Sequence, residues 1–416
     1  MKVAFTTLGC KLNYAETSTY ERGFIARGWE VVPWKEKADV YLINTCAVTE
    51  TAEKKSRNLM RRAHKIAPNA LVIVAGCYAE LKKDSLYDIE GVSRVFSARE
   101  KPLVVSETIA LFEGKGDSSA PPQEGILPAY STGERTRSFL KVQDGCNNFC
   151  AYCTVPYARG RSRNIPVCEV VKQAQQIAAQ GVREIVLTGV NTGDFGRTTG
   201  ESFLDLLKAL DAVEGIGRYR ISSIEPNLIT EEIVDWIASG TKFQRHFHIP
   251  LQVGSDALLR KVGRRYDTAL FASRIDYIRK AMEHPGEPKV FFGIDVIAGL
   301  PGETEELFLE TYRFLEERIR PAFIHVFPYS KRPGTRAAVM PDQVPESVKA
   351  ERVARLEALC ARLHEAFVVE NKGLPETVLW ESSVKDCLMA GYTGNYIRVE
   401  KPYDPAFVNQ LETIVL

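Results

Sequence analysis

The residues best placed for chemistry are six of the nine cysteines. Three form a CxxxCxxC run, Cys146-Asn147-Asn148-Phe149-Cys150-Ala151-Tyr152-Cys153. Thiolates at this spacing wrap one face of a [4Fe–4S] cluster and supply three of its four iron ligands. The fourth iron then stays open to a ligand from outside the protein, as a catalytic metal keeps an exchangeable position. A structural zinc needs a fourth protein ligand nearby, and the nearest histidines, His64 and His246, are remote along the chain. Cys168 could close such a set, but it follows Pro166 at an expected helix start and reads as a small buried residue.

The other three are Cys10, Cys46 and Cys77, each just after an apolar, strand-like run: Lys2–Thr7, Asp39–Thr45 and Leu71–Ala75. In an open parallel sheet the carboxyl ends of the strands line one edge, where ligands bind. One strand–helix–strand unit separates each cysteine from the next, so the three thiols are expected to converge. Small or polar neighbours (Gly9, Asn44, Thr45, Gly76) leave room for a bulky cofactor. The plainer alternative is three unrelated core cysteines. Cys360 and Cys387 carry no assigned chemistry.

These cysteines need elements to hold them. In the first hundred residues the strands alternate with helical patterns at Tyr14–Arg27 and Thr51–Ile66, which indicates strand–helix–strand units and a parallel sheet. Residues 113–137, rich in Gly, Pro, Ser and charge, read as a linker. Six strand–helix units follow, with strands at Phe139–Val142, Glu184–Leu187, Arg218–Ile221, Arg245–Ile249, Val290–Ile297 and Ala322–Phe327. Helices are expected at Val167–Ala179, Phe203–Val213, Thr230–Ala238, Thr268–Met282 and Glu303–Glu317. Eight units would close a barrel; six give a partial one. A long helix, Glu346–Lys372, leads to short strands at Thr377–Glu381, Tyr396–Val399 and Glu412–Leu416. With Gly391-Tyr392-Thr393-Gly394 between strands, this tail fits a small oligonucleotide-binding β-barrel. The expected fold class is therefore α/β: an open parallel-sheet domain (1–112), a linker (113–137), a partial (β/α)6 barrel (138–372) and a small β-barrel (373–416).

Composition narrows the setting. The chain has 416 residues, 45% hydrophobic and 26% charged, as expected of a protein with buried cores. Lys+Arg 54 against Asp+Glu 53 leaves a net charge of +1, so any basic binding surface must be local. No apolar stretch approaches the roughly 20 residues of a membrane helix. The first residues show no charged-then-apolar export pattern. A soluble cytoplasmic protein with no membrane partner is expected.

A CxxxCxxC run with an aromatic residue, Tyr152, before its last cysteine, on the first strand–helix loop of a partial barrel, resembles the radical S-adenosylmethionine (radical SAM) superfamily. With the Cys10/Cys46/Cys77 domain before it and an RNA-binding TRAM domain after it, essentially the whole chain is similar to the methylthiotransferases. The strings TLGCKLN (Thr7–Asn13), CTVPYARG (Cys153–Gly160), SSIEP (Ser222–Pro226), PLQVGSD (Pro250–Asp256) and GLPGET (Gly299–Thr304) most resemble the branch that methylthiolates threonylcarbamoyladenosine beside the tRNA anticodon. Sister branches acting on isopentenyladenosine or on a ribosomal-protein aspartate share every cysteine. An RNA-binding protein with structural or redox-sensing clusters is the alternative from a different class.

The resemblance implies two [4Fe–4S] clusters and S-adenosylmethionine (SAM) as cofactors. Adenine C2–H is not acidic, so no general base activates it and the cofactor must do the hard step. Cys146, Cys150 and Cys153 would hold the radical-generating cluster, while Cys10, Cys46 and Cys77 would hold an auxiliary cluster carrying the sulfur that a second SAM methylates. An electron donor such as flavodoxin or ferredoxin, and a sulfur source, are implied partners. SAM-binding candidates lie at strand carboxyl ends: Tyr152, Gly189 and Asn191, Ser223 and Glu225, Gln252 and Ser255, Ile297 and Leu300. The bland alternative for each Gly or Ser is turn chemistry. His246 and His248 share a strand face and read as a polar pocket wall rather than metal ligands.

The tRNA anticodon loop would need basic loops at the same end. Arg159, Arg161 and Arg163, Arg264 and Arg265, and Lys331 and Arg332 are the candidates, with a further helical set at Lys54, Lys55, Arg57, Arg61 and Arg62. Any one such cluster also reads as ordinary solvated surface. Tyr157 and Tyr329 are expected to stack a splayed base, and the Arg159–Arg163 stretch to pair with the substrate carboxylate.

Overall fold

Apolar strands that recur with a helix between them pair in parallel, because a parallel pair needs a long crossover. The computed structural model describes residues 1–115, 126–132 and 136–416. In it, β1 (Lys2–Thr7), β2 (Glu30–Val32), β3 (Val40–Thr45), β4 (Leu71–Gly76) and β5 (Val92–Val95) form one parallel sheet in the order β2-β1-β3-β4-β5. β3 is buried at every position. Val40 and Leu42 join the core with Phe24 and Val104 on one face; Tyr41 and Ile43 join Met60 and Tyr78 on the other. That two-sided burial is why the run is apolar throughout rather than alternating. The edge strands β2 and β5 have three and four residues, too short to stand out as apolar runs.

The chain divides into two units. The first contains Met1–Thr132, Phe139–Asn147 and Cys153–Ile165, and the second Gly133–Ser138, Asn148–Tyr152 and Pro166–Leu416. Residues 139–147 and 153–165, read from sequence as barrel, thus pack with the N-terminal sheet, where Lys141 and Arg159 pair with Glu16 and Asp144 pairs with the same two cations. Of the expected linker, residues 116–125 and 133–135 lie outside the described residues. Residues 126–132 between them are no free tether: Ala129, Tyr130 and Ser131 are buried. Arg22 stacks on the Tyr130 ring at 3.8 Å, and Tyr130 bridges antiparallel to Leu140.

β6 (Arg137–Lys141) is divided between the units. In the first unit β7 (Gln143–Asp144) pairs antiparallel with β8 (Arg163–Asn164). The second unit continues with β9 (Glu184–Thr188) parallel to β10 (Arg218–Ile221). It goes on to β11 (His246–Gln252), β12 (Phe291–Ala298) and β13 (Phe323–Pro328), parallel in that order. A parallel bridge from Tyr219 to Phe243 links the two groups. Helices alternate with these strands, as the sequence spacing predicts. The expected helix Glu303–Glu317 is instead α-helical over Glu305–Arg313 and π-helical over Phe314–Ile319.

The C-terminal strands β14 (Pro375–Lys385), β15 (Leu388–Thr393), β16 (Arg398–Pro402) and β17 (Leu411–Val415) form an antiparallel sheet in the order β16-β15-β14-β17. Gly391–Thr393, expected between strands, lie inside β15; the glycine masks the strand pattern. Buried arginines join this sheet to β10. Arg220 donates to the carbonyls of Thr393 and Gly394, both at 2.7 Å, and Arg218 to those of Thr377 and Tyr392. Buried Glu184 neutralises both and also faces Arg137 at 3.5 Å. No helix among the described residues is long and apolar enough to cross a membrane.

Candidate active site

The carboxyl ends of β1, β3 and β4 carry Cys10, Cys46 and Cys77, and the structure brings these thiols together. Gly9 has φ +106°, and a Cβ built there would lie 3.1 Å from Cys46 Sγ, so the segment bearing Cys10 passes directly against Cys46. Burial pushes the Cys46 thiol up, and the neighbouring Cys77 and Cys10 push it further. Asn13 fastens the β1 loop to the β3 end by donating to Leu8 O at 2.8 Å and Thr45 O at 2.9 Å. Three converging thiols beside a position that tolerates no side chain fit an iron–sulfur cluster with one iron left free of protein sulfur.

Behind these thiols lies a buried charge network that composition does not suggest. Glu16 accepts from Lys101 at 2.9 Å, Lys141 at 2.8 Å and Arg159 at 3.2 Å. Asp144 pairs with Lys141 at 2.7 Å and Arg159 at 2.9 Å. Burial alone would raise the Glu16 carboxyl, but the three cations hold it well below the usual range. Asp144 is held down in the same way, by Arg159 and Lys141. Three cations against two carboxylates leave one positive charge in excess. That charge faces the thiols: burial raises Cys77, while Arg159 and Lys101 oppose the rise. The cations thus offset part of the burial penalty on the thiolates, the form that binds iron, although the Cys46 and Cys77 thiols remain above their ordinary value.

The CxxxCxxC segment crosses the unit boundary, with Cys146 and Cys153 in the first unit and Cys150 in the second. Cys146 N donates to Gly160 O at 3.1 Å, and Cys153 Sγ accepts from Val155 N at 3.4 Å. In the second unit, Cys150 Sγ accepts from Arg264 Nη1 at 3.2 Å. A backbone N–H and a guanidinium on two of these sulfurs suit thiolate ligands. Cys168, read as buried, is exposed, and Cys360 is buried under β13 with Ile324 N on its sulfur at 3.2 Å.

Two pairs of the strand-end candidates of the second unit are hydrogen-bonded to each other, Tyr152 with Gln252 and Glu225 with Asn191. Tyr152 donates its hydroxyl to Gln252 Oε1 at 2.8 Å, and Gln252 sits at a register shift in β11 with φ +71°. Buried Glu225 accepts from Asn148 Nδ2 and Arg264 Nη2, both at 2.7 Å, and its backbone N–H reaches Asn191 Oδ1. The Ser223 carbonyl takes the N–H and hydroxyl of Thr192, which fixes the turn after β9. Ser255 Oγ is buried with no hydrogen-bond partner among the described residues. Gly189 and Ile297 are half-buried, and Leu300 is fully buried.

The basic candidates separate. Arg161, Arg265 and Lys331 are exposed, and Arg163 is half-buried with Nη2 on Arg159 O. Arg159, Arg264 and Arg332 are not surface residues: Arg159 is 3% exposed and Arg332 5%, and the Arg264 side chain is 6% exposed. Burial opposes the Arg264 charge, but Tyr266, Tyr152, Cys150 and Glu225 outweigh it and raise its pKa. These three are corrections to the phosphate-contact reading, because a guanidinium with so little of its surface open to solvent has no reach to RNA. Tyr157 is 54% exposed, whereas Tyr329 is 3% exposed beneath the Lys349 ammonium and is not free to stack a base. Sequence reasoning missed Glu16, Lys101, Lys141, Asp144 and Asn148, for which no local signal exists.

Residues 2–97 match the model described as "Uncharacterized protein family UPF0004", and residues 140–315 match the radical SAM superfamily. The chain is 42% identical to the threonylcarbamoyladenosine tRNA methylthiotransferase MtaB of Bacillus subtilis, covering 95% of this chain and 89% of that one. It is 35% identical to the MtaB of Aquifex aeolicus, covering 96% and 97%. Among solved structures, the radical S-adenosylmethionine methyltransferase TsrM of Kitasatospora setae shares the fold, with a TM-score of 0.60, 14% identity and coverage of 81% and 75%. With both domain models matched and the similarity spanning nearly its whole length, this chain belongs to the MtaB-type methylthiotransferase family of radical SAM enzymes.

Proposed function

We propose that this enzyme methylthiolates C2 of N6-threonylcarbamoyladenosine at position 37 of tRNA, with a second SAM as methyl donor. The observation that carries this reading is the 42% identity over 95% of the chain to a relative with that named substrate. When bound, the two [4Fe–4S] clusters and SAM supply one-electron C–H activation and a sulfur acceptor for the methyl group. Cys146, Cys150 and Cys153 hold the SAM-binding cluster, and Cys10, Cys46 and Cys77 hold the auxiliary one.

The protein's own residues bind and orient. Tyr152, Gly189, Asn191, Ser223, Glu225, Gln252, Ser255, Ile297 and Leu300 form the SAM pocket. Glu225, anchored by Arg264 and Asn148, presents a carboxylate to ribose hydroxyls, and the unpartnered Ser255 hydroxyl gains an acceptor or donor from the cofactor. Arg161, Arg163, Arg265 and Lys331 take the anticodon-loop phosphates, with the C-terminal sheet as a further RNA surface. Arg161 and Arg163 also pair with the threonylcarbamoyl carboxylate. A flavodoxin- or ferredoxin-type protein supplies electrons, and a separate source supplies sulfur.

The test is nucleoside mass spectrometry of tRNA from cells lacking the gene and from complemented cells. The 2-methylthio form of threonylcarbamoyladenosine should vanish and return. Its persistence, or loss of the 2-methylthio form of isopentenyladenosine instead, refutes the reading.

A further inference from the structure

His248, Asp295 and His325 stand on three adjacent parallel strands, β11, β12 and β13. Asp295 lies in register with Pro250 on one side and His325 on the other, and His248 lies opposite Gly293. Positions in register or two apart share a sheet face, so all three side chains project from the same face. His248 Nε2 is 2.7 Å from Asp295 Oδ1, and the two imidazole rings are 5.0 Å apart between centroids at 42°. One ligand atom from each residue lies within 4.8 Å of the other two.

The position between the rings is a glycine. A Cβ added to Gly293 would meet Phe291 Cε1 at 3.3 Å, His325 Nε2 at 3.7 Å and His248 Cδ2 at 4.0 Å, so this position lies against both imidazoles. A carboxylate orienting one imidazole would account for two of the three residues. The second imidazole on the same face, with one ligand atom of each residue within 4.8 Å of the others, makes a larger donor set than that pair. All three are half-buried, which leaves them reachable yet partly stripped of water.

We propose that His248, Asp295 and His325 bind one divalent transition-metal ion, in addition to the two cysteine sets. Two imidazoles and one carboxylate are the donors that zinc and iron(II) prefer, and three protein ligands leave coordination positions for water or a substrate oxygen. At metal–nitrogen distances of about 2.0–2.1 Å the ligand atoms stand about 3.4 Å apart, so the His248–Asp295 pair must open from 2.7 Å while wider separations close. His246, the other histidine on this face of β11, is engaged elsewhere, stacked on Phe291 at 14° and set against Tyr396.

The test uses the full chain, reconstituted anaerobically with both clusters, exposed to Zn(II) and desalted. Metal counting should find one zinc per chain, and the zinc K-edge absorption should show only nitrogen and oxygen neighbours. Asp295→Asn, nearly isosteric, and His325→Ala should each weaken zinc binding at least about tenfold, while iron content stays constant and His246→Ala binds normally. The proposal is overturned if the native chain retains no zinc, if the zinc shell contains sulfur, or if Asp295→Asn binds zinc like the native chain.

Discussion

Replacing Glu16 by Gln tests the charge network behind Cys10, Cys46 and Cys77. Glu16 is wholly buried, as is Lys141, and Lys101 and Arg159 are each 3% exposed. At separations of 2.8–3.2 Å, each cation attracts Glu16 by about 5 kcal/mol at an effective dielectric of about 20. Desolvation offsets most of this, and removing one member of a buried pair costs about 3–5 kcal/mol net because a cation is stranded. For a unit of this size that is a fall in melting temperature of about 6–20 °C. The assay is an anaerobic melt followed by cluster absorbance and far-ultraviolet circular dichroism, with exposed Glu36→Gln as control.

Adding Lys101→Met to Glu16→Gln should recover part of the loss by removing the stranded ammonium. The pH dependence has a definite sign. Because the folded Glu16 carboxyl lies below its ordinary value of 4.5, its contribution is full above pH 4.5 and is lost as pH falls toward the folded value. The gap between native and Glu16→Gln proteins should therefore narrow on acidification below that point. A Glu16→Gln melt within about 2 °C of native at neutral pH would refute the reasoning.

Gly9→Ala places a methyl 3.1 Å from Cys46 Sγ at a φ of +106°; reconstituted iron should fall from about eight to about four per chain, with the SAM-binding cluster retained. Arg220→Ala removes two 2.7 Å bonds to β15 and the turn after it; hydrogen exchange should quicken in residues 375–415 and stay unchanged in β11–β13. Removing the exposed charges of Arg265 and Lys331 by alanine substitution should weaken tRNA binding and flatten the log affinity against log salt slope by about 0.7–0.9 per lost contact. Equal slopes would place both side chains away from phosphate.

The strands and helices that place the cysteines were legible because their signals are local. Lys2–Thr7, Arg218–Ile221, Val167–Ala179 and Thr268–Met282 have the same bounds in sequence reading and structure, since apolar periodicity is a property of neighbours. The placement of Cys10, Cys46 and Cys77 was legible for the same reason: each lies just past a strand, and chain connectivity carries it to the sheet edge. Short edge strands and the glycine-containing β15 were not, because pairing with a neighbour rather than local pattern makes them strands.

Spacing along the chain alone determined which element presents Cys10, Cys46 and Cys77. Only the tertiary structure decided which charges face water. Arg159 and Arg161 are alike in sequence, yet one is buried and the other exposed. The partners that bury Arg159 include Glu16, 143 residues away. Likewise His325 and Asp295 meet only because parallel strands set them in register. Desolvation and charge pairing depend on what the fold brings from elsewhere, and no local pattern encodes that.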